Sequence, residues 1–183
     1  MRHLVLGGVR SGKSRLAEKL AKNYDLPVTY LATARAGDTE MQARISEHQR
    51  WRPKHWSTQE VSDSRLPEEL ARLLDQPGVV LLDCLTLWLT QLLCDQPLNA
   101  QGLARVDACL DELVEVVQQK PKAHLILVGN ETGLGIMPLD ELSRAFGDRA
   151  GLLHQRLAEV CESVILTAAG LPLILKGSSP WLD

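Results

Sequence analysis

The sequence has few aromatic residues, little net charge and no cysteine pattern that indicates disulfides or a metal site. Phe, Trp and Tyr make up 4% of the 183 residues, and 20 basic residues nearly balance 23 acidic ones, for a net charge of −3. This mixed charge gives no electrostatic reason to expect binding to nucleic acid or to an anionic membrane surface. The four cysteines form no C-x-x-C pair, which is typical of reduced cysteines in a cytoplasmic protein.

Segments long and apolar enough for a membrane span are also missing. The longest apolar run, residues 79–94, is interrupted by Asp83, Thr86, Thr90 and Gln91, and it is shorter than the roughly 20 residues that a spanning helix needs. The N-terminus carries no basic region followed by a long apolar segment, so we expect no signal peptide. We expect one cytoplasmic domain over residues 1–183, in which residues 177–183 form a loose tail.

The sequence does contain a glycine-rich motif near the N-terminus. It follows the phosphate-loop pattern of Gly, four residues, Gly, Lys and Ser or Thr, and its residues are Gly7, Gly8, Val9, Arg10, Ser11, Gly12, Lys13 and Ser14. An apolar run over residues 3–6 precedes it and a helix-like segment over residues 14–23 follows, which is the context that the motif requires. Glycines let the backbone curl so that N–H groups face phosphate oxygens at the start of a helix. Lys13 is then expected to bridge the β- and γ-phosphates, and Ser14 to bind Mg²⁺.

Strand-like and helix-like segments alternate along the rest of the chain. Strands are predicted over residues 27–32, 79–83, 124–128 and 163–167. Helices are predicted from Thr39 to just before Pro53, over residues 66–74, over a segment ending near Gln119, and from Leu139 with a break near Gly147 before a further helix reaches Cys161. This alternation predicts a P-loop NTPase-like (RecA-like) α/β fold with a mostly parallel sheet flanked by helices. Residues 171–175 are expected to add an antiparallel edge strand at the C-terminus.

Asp83 ends the apolar run of residues 79–82 and is the candidate second ligand of Mg²⁺. The alternative is that its carboxylate caps a helix that starts at Cys84. We favour the magnesium site, because burying an acid after four apolar residues is costly without a cation partner. Glu60 and Glu131 are the other acids at predicted strand or loop ends, and neither stands out alone.

Several stretches together resemble the adenosylcobinamide kinase / adenosylcobinamide-phosphate guanylyltransferase family over nearly the full chain. Beside the phosphate loop they are Tyr30-Leu31-Ala32-Thr33-Ala34, Leu82-Asp83-Cys84-Leu85-Thr86 and Asn130-Glu131-Thr132-Gly133-Leu134-Gly135-Ile136. The most specific is the pattern E-M-x-x-R-I-x-x-H-x-x-x-R-P-x-x-W, which runs from Glu40 to Trp56 and contains His48.

The resemblance implies two reactions at one nucleotide site. Adenosylcobinamide is phosphorylated with ATP or GTP, and GMP then passes from GTP through a GMP-histidine intermediate to adenosylcobinamide-phosphate, which releases pyrophosphate. His48 matches the nucleophilic histidine and Lys13 the second catalytic residue. Spacing alone favours a half-buried histidine on the face of Met41 and Ile45 for His48, and the match to the family pattern reverses this preference to the nucleophile.

The resemblance also implies nucleotide contacts from the phosphate loop, a homo-oligomer that is possibly a trimer, and Mg²⁺ bound by Ser14 and Asp83. The further nucleotide contacts that it implies are Ala32, Thr33, Ala34, Gln49, Arg50, Trp51, Arg52, Glu60 and Asp83. The sequence departs from the family pattern at Gln91, Thr132, Gly147 and His154, which puts corrinoid and subunit contacts in doubt but removes no catalytic group.

Two other classes fit parts of the same sequence. A monofunctional P-loop kinase of a small hydroxylated metabolite needs the loop and Asp83 but no histidine nucleophile. A nucleotide-dependent switch that moves a partner is less favoured, because the chain shows no partner-binding extension. A Rossmann dinucleotide site is disfavoured, because the loop is not G-x-G-x-x-G.

Overall fold

A computed structural model describes residues 1–34, 52–119 and 121–178, and the described part forms a seven-stranded sheet with helices on both faces. The strands are β1 (Arg2–Gly7), β2 (Val28–Ala32), β3 (Ser57–Glu60), β4 (Val79–Asp83), β5 (His124–Asn130), β6 (Ser163–Ala168) and β7 (Leu171–Lys176). The helices are α1 (Lys13–Lys22), α2 (Leu66–Leu74), α3 (Leu85–Cys94), α4 (Ala100–Gln118) and α5 (Glu141–Val160). No helix among these residues is both long and apolar enough to cross a membrane.

The strand order is β3-β2-β4-β5-β1-β6-β7, and every neighbouring pair is parallel except β6 and β7. The carboxyl ends of the parallel strands therefore share one edge of the sheet, where open α/β sheets bind their ligands. Asp83 lies opposite Ala32, which lies opposite Glu60 on its other side, and Gly7 lies opposite both Asn130 and Thr167.

Alternate side chains of the central strands enter two separate cores. On one face, α1 packs on residues that include Val5, Tyr30, Leu81 and Ile126. On the other face, α2 to α5 cover a larger cluster that includes Leu4, Leu31, Leu82, Leu125 and Leu127. Strands covered on both faces in this way have nearly continuous apolar sequences, which is why they were recognisable.

The predicted parallel sheet, its helical layers and its antiparallel C-terminal edge strand are confirmed. The predicted break near Gly147 is wrong, because α5 runs unbroken for 20 residues. β3 was not predicted, and its four residues, Ser57 to Glu60, are mostly exposed. The helix predicted between Thr39 and Pro53 falls almost entirely outside the described residues, and the single domain and loose tail stay predictions.

Candidate active site

The phosphate loop joins β1 to α1, and the geometry requires glycine at two of its positions, Gly7 and Gly12. A Cβ on Gly7 would lie 2.4 Å from Ser11 Oγ and 2.6 Å from the carbonyl oxygen of Thr167. Gly12 has a φ of 96°, in the left-handed region that disfavours other residues. A Cβ on Gly8 would meet nothing within 4 Å, so this part of the loop faces open space.

The turn between β6 and β7 supports the loop from outside. The N–H of Gly170 donates to the carbonyl oxygen of Ser11 at 2.8 Å. A Cβ on Gly12 would lie 3.2 Å from Gly170 Cα, so the two backbones are in close contact. The antiparallel edge strand thus has a local role, because its turn contacts and supports the phosphate loop.

Charged and polar groups surround the same loop. Lys13 lies at the first position of α1, and its Nζ donates to the carbonyl oxygen of Gly8 at 3.2 Å. Ser11 Oγ, Thr167 Oγ1 and Asn130 Oδ1 are buried without a hydrogen-bond partner. Buried polar atoms without partners are unusual in a folded protein and are often explained by a ligand or water. The Lys13 ammonium and the hydroxyls of Ser11 and Thr167 can donate to an anionic ligand, whereas Asn130 Oδ1 can only accept.

Asp83 lies on the α1 side of the sheet. It follows Leu81, which packs in the α1 core, by two residues, and strand side chains alternate between faces. Its Oδ2 accepts a hydrogen bond from the Tyr30 hydroxyl at 2.8 Å. Burial, together with the neighbouring Asp83 carboxylate, raises the pKa of Tyr30 well above its usual value, so the hydroxyl remains a neutral donor.

The helix-cap alternative for Asp83 is contradicted by the structure. Cys84 is the N-cap of α3, and its sulfur accepts from the N–H of Leu87 at 3.5 Å. The Asp83 carboxylate is bonded to Tyr30 instead, and it remains half-buried at the carboxyl edge. Half-buried Ser14 is the second residue of α1, on the same side of the sheet. Their hydroxyl and carboxylate oxygens are the hard ligands that Mg²⁺ prefers, so the donor set fits this ion.

The other predicted contacts are placed unevenly. Ala32 and Ala34 are half-buried at the end of β2, whereas Thr33 is fully buried and its Oγ1 bonds both the N–H and the carbonyl of Cys84, at 2.8 and 2.7 Å. The Thr33 side chain is thus occupied by the protein itself. Glu60 is exposed at the end of β3, directly opposite Ala32 of β2. His48, Gln49, Arg50 and Trp51 lie outside the described residues.

Three features of this edge were not assigned by the sequence analysis. Tyr30 bonds the Asp83 carboxylate, and Gly170 contacts the phosphate loop. Thr86 Oγ1 accepts from the N–H of Asn130 at 2.6 Å, and this bond ties the start of α3 to the end of β5. Tyr30 and Thr86 fall inside the stretches that carry the family resemblance, which is the signal that could have indicated them.

The phosphate loop on β1–α1 and the carboxylate at the end of β4 define a P-loop NTPase-like nucleotide-binding protein. A structure from Pyrococcus horikoshii OT3, the project target PH0250, shares the fold with a TM-score of 0.53 at 13% identity, covering 100% of this chain and 89% of that chain. An ATPase of the type III secretion system of pathogenic bacteria gives 0.58 at 13% identity, covering 99% of this chain and 61% of that chain. Likeness at this identity concerns the fold alone.

Residues 3–175 match the family described as cobinamide kinase / cobinamide phosphate guanyltransferase, and the chain belongs to this family. A Pseudomonas aeruginosa relative, bifunctional adenosylcobalamin biosynthesis protein CobP, is 52% identical, covering 97% of this chain and 98% of its own length. The Escherichia coli K12 protein CobU, with the same description, is 38% identical, covering 94% and 98%. Membership confirms the predicted family and its two enzyme activities, cobinamide kinase and cobinamide phosphate guanylyltransferase.

Proposed function

We propose that both activities use the phosphate loop of this chain. In the second activity, His48 carries GMP from GTP to adenosylcobinamide-phosphate. In the first reaction, the hydroxyl of the aminopropanol arm of adenosylcobinamide takes the γ-phosphate of ATP or GTP. In the second, adenosylcobinamide-phosphate receives GMP from GTP. The observation that carries the proposal is the cradle itself: Gly7 and Gly12 are sterically fixed, Gly8 faces open space, and Asp83 lies on the α1 side of the sheet.

The residues of the loop act by position and charge. The backbone N–H groups at the start of α1 and the Lys13 ammonium face a triphosphate and stabilise the negative charge that develops on the leaving oxygen. Mg²⁺ bound by Ser14 and Asp83 supplies further charge neutralisation on the phosphates. These groups serve either reaction, because both release an anionic leaving group. Transfer of the γ-phosphate releases a nucleoside diphosphate, and attack on the α-phosphorus releases pyrophosphate.

His48 supplies the step that a simple kinase does not need. One imidazole nitrogen attacks the α-phosphorus of GTP, the bond from that phosphorus to the bridging oxygen breaks, and pyrophosphate leaves with the electron pair. A phosphate oxygen of adenosylcobinamide-phosphate then attacks the same phosphorus, the N–P bond breaks, and adenosylcobinamide-GDP forms. An imidazole with an ordinary pKa near 6.5 is largely neutral at cellular pH, so its lone pair is available.

Labelled GTP tests this proposal. The protein is incubated with Mg²⁺ and GTP labelled at either the α- or the γ-phosphate, denatured, and analysed for acid-labile label on the chain. We expect α-label on the wild type, no γ-label in the same adduct, and loss of the α-label in His48→Ala. His55→Ala is the matched control, because exposed His55 lies in the described part of the chain outside the cradle. Absence of α-label on the wild type would favour the monofunctional kinase.

The family resemblance further suggests a homo-oligomer, possibly a trimer, and the edge strand β7 supports this. All six of its residues are exposed, and Leu171, Leu173 and Leu175 present 71%, 56% and 56% of their surface. Exposed apolar edge strands are sites of chain association unless they are covered. We expect light scattering to give more than one chain per particle, and Leu173→Lys to shift the mass towards the monomer. A monomeric wild type would refute this assignment.

A further inference from the structure

The side chain of Tyr30 contacts the Asp83 carboxylate, although neither proposed reaction assigns a role to Tyr30. It lies in the middle of β2 with 2% of its surface exposed, and its ring packs in the core beneath α1. Its hydroxyl reaches the Asp83 carboxylate on the neighbouring strand and donates to Oδ2 at 2.8 Å. The hydroxyl of this buried tyrosine thus donates to Asp83, the acid proposed to bind Mg²⁺.

We propose that Tyr30 is a positioning residue for the metal: its hydroxyl fixes the Asp83 carboxylate through Oδ2 so that Oδ1 is presented to the nucleotide-bound ion. This inference rests on the proposed function, because it assumes that Asp83 binds the Mg²⁺ of the nucleotide. Hydrogen bonds behind a ligating carboxylate orient it and are worth about 10- to 100-fold in metal affinity or activity.

A phenol suits this role better than a basic side chain. A carboxylate at a strand end can rotate about its Cβ–Cγ bond, so one fixed donor is enough to define its plane. Tyr30 donates without carrying charge, so Asp83 keeps its negative charge for the cation, whereas Lys or Arg in the same place would neutralise it. The packed ring cannot follow a rotating carboxylate, and the position of Oδ2 is therefore set by the core.

Two other residues, Arg52 and Thr33, restrict the movement of Tyr30 and Asp83. The guanidinium carbon of Arg52 lies 3.2 Å from the centre of the Tyr30 ring, a stacking contact that limits movement of the ring. From the other side, the N–H of Thr33 donates to the carbonyl oxygen of Asp83 at 3.2 Å, and Thr33 Oγ1 bonds both backbone polar groups of Cys84. Arg52 thus restricts the Tyr30 ring and Thr33 holds the backbone of Asp83, while the Tyr30 hydroxyl holds the Asp83 carboxylate.

The test measures metal affinity directly. Mn²⁺ is titrated into protein saturated with a non-hydrolysable GTP analogue, and free Mn²⁺ is followed by electron paramagnetic resonance. We expect Tyr30→Phe to raise the Mn²⁺ Kd about 10-fold, while binding of the same analogue in EDTA changes less than about 2-fold, because the phosphate loop is intact. An unchanged Mn²⁺ Kd, or an equal loss of analogue binding in EDTA, would overturn the proposal.

Tyr24→Phe is the matched control, since the chain has two tyrosines and both hydroxyls are hydrogen-bonded. Tyr24 bonds His3, at the opposite end of β1 from the loop. Its removal costs a comparable bond but is expected to leave the Mn²⁺ Kd unchanged. If both variants weaken Mn²⁺ binding equally, the effect is a general loss of structure and the proposal is wrong.

Asp83→Asn separates this inference from the function on which it rests. If Asp83→Asn leaves Mn²⁺ binding unchanged, the metal assignment of the proposed function fails and the role of Tyr30 fails with it. If Asp83→Asn weakens binding and Tyr30→Phe does not, only the role of Tyr30 is wrong. In the double variant, Tyr30→Phe is expected to add no further loss, because Tyr30 acts on the metal only through the Asp83 carboxylate.

A fluorine NMR measurement tests the same proposal on a chain that keeps Tyr30, so it does not depend on whether Tyr30→Phe folds. With 3-fluorotyrosine incorporated at both tyrosines, the fluorine spectrum has two signals, which Tyr24→Phe assigns. Adding Mg²⁺ to the complex with the GTP analogue is expected to shift the Tyr30 signal and leave that of Tyr24 in place. A Tyr30 signal that ignores Mg²⁺ would contradict the proposal.

Discussion

Acid should destabilise the fold through His3, a buried histidine in the strand that leads to the phosphate loop. Its side chain is fully buried, Nε2 lies 2.5 Å from the Tyr24 hydroxyl, and Nδ1 has no partner. A protonated imidazole has two N–H donors, so protonation would leave a buried charge with one unpaired donor. Burial, helped by the nearby N-terminal ammonium, therefore lowers the pKa of His3 to about 4.

The neighbouring charges modify this shift without reversing it. The Glu162 carboxylate raises the pKa of His3, and His124 lowers it. The Tyr24 ring stacks on His124 at 4.0 Å, and the Met1 amine lies 3.1 Å from His124 Nδ1. These groups form one connected cluster at the amino ends of β1 and β5, so His3 cannot gain a compensating partner by a small movement.

The sign and size of the effect follow from linkage. Because the folded pKa of His3, about 4, is below the ordinary histidine pKa of 6.5, the unfolded chain binds the proton first as pH falls. The stabilising contribution is complete above the unfolded pKa and is lost as pH falls from there towards the folded value. The difference corresponds to about 3 kcal/mol in total, of which about 2 kcal/mol is lost by pH 5.

Urea unfolding at pH 7.5 and pH 5 measures this loss. A change of about 2 kcal/mol corresponds to roughly 1 M in the urea midpoint. His3→Gln keeps a polar partner for Tyr24 but does not titrate, so its midpoint should fall less between the two pH values than that of the wild type. His55→Gln, at an exposed position, should retain the full wild-type difference. Equal pH dependence in wild type and His3→Gln would refute the reasoning.

Two predictions concern the phosphate loop. Gly7→Ala should lower stability by about 1–3 kcal/mol, measured by urea unfolding, and weaken GTP binding, because its Cβ would collide with Ser11 Oγ and the Thr167 carbonyl. Gly8→Ala meets no such contact and should unfold like the wild type; equal destabilisation of both variants would contradict the geometry. Lys13→Ala should slow phosphorylation and guanylylation alike, each by at least about 100-fold in separate assays. Loss of only one reaction would indicate two independent triphosphate sites.

The sequence was sufficient for the elements that are apolar on both faces and for the loop that has a strict pattern. β4 and β5 are nearly continuous apolar runs because helices cover both of their faces, and the phosphate loop is constrained at Gly7 and Gly12 by contacts that admit no side chain. Apolar runs and glycine patterns of this kind are visible in the local sequence. The phosphate loop and the strand end at Asp83 could therefore be predicted to lie at the carboxyl edge of the sheet without knowledge of the strand order.

Elements that depend on tertiary context left no such signature. β3 is a polar strand at one edge of the described sheet, where it pairs with β2, and its sequence shows no apolar alternation. Gly147 lies inside α5, where glycine costs about 1 kcal/mol relative to alanine, yet buried Ala145, Ala150 and Leu153 pack the helix on either side of it. The bond from Tyr30 to Asp83 joins residues 53 positions apart and needs the β2–β4 register to be known.

Arg52 gives a way to separate the histidine step from the steps that both reactions share. It contacts Tyr30, and it is the fourth residue after His48 in the sequence. If Arg52 acted only through Tyr30 and Asp83, its removal would slow both reactions in parallel, because both use the same metal and cradle. If His48 is the nucleophile, as proposed, an Arg52 side chain anchored four residues away would matter additionally for guanylylation and not for phosphorylation.

We therefore expect Arg52→Met to reduce the yield of acid-labile α-label more than it reduces the rate of phosphorylation. Stacking contacts of this kind are worth about 0.5 to 2 kcal/mol, which corresponds to roughly 2- to 30-fold in the ratio of the two activities. Tyr30→Phe should lower both activities without changing their ratio, since it acts on the shared metal site. Arg65→Met is the control, because the Arg65 guanidinium donates to the carboxylate of Asp63, outside the phosphate loop and the Tyr30–Asp83 pair. An unchanged ratio in Arg52→Met would show that Arg52 serves the shared metal site alone, and the approach of His48 would then have to be set by other residues.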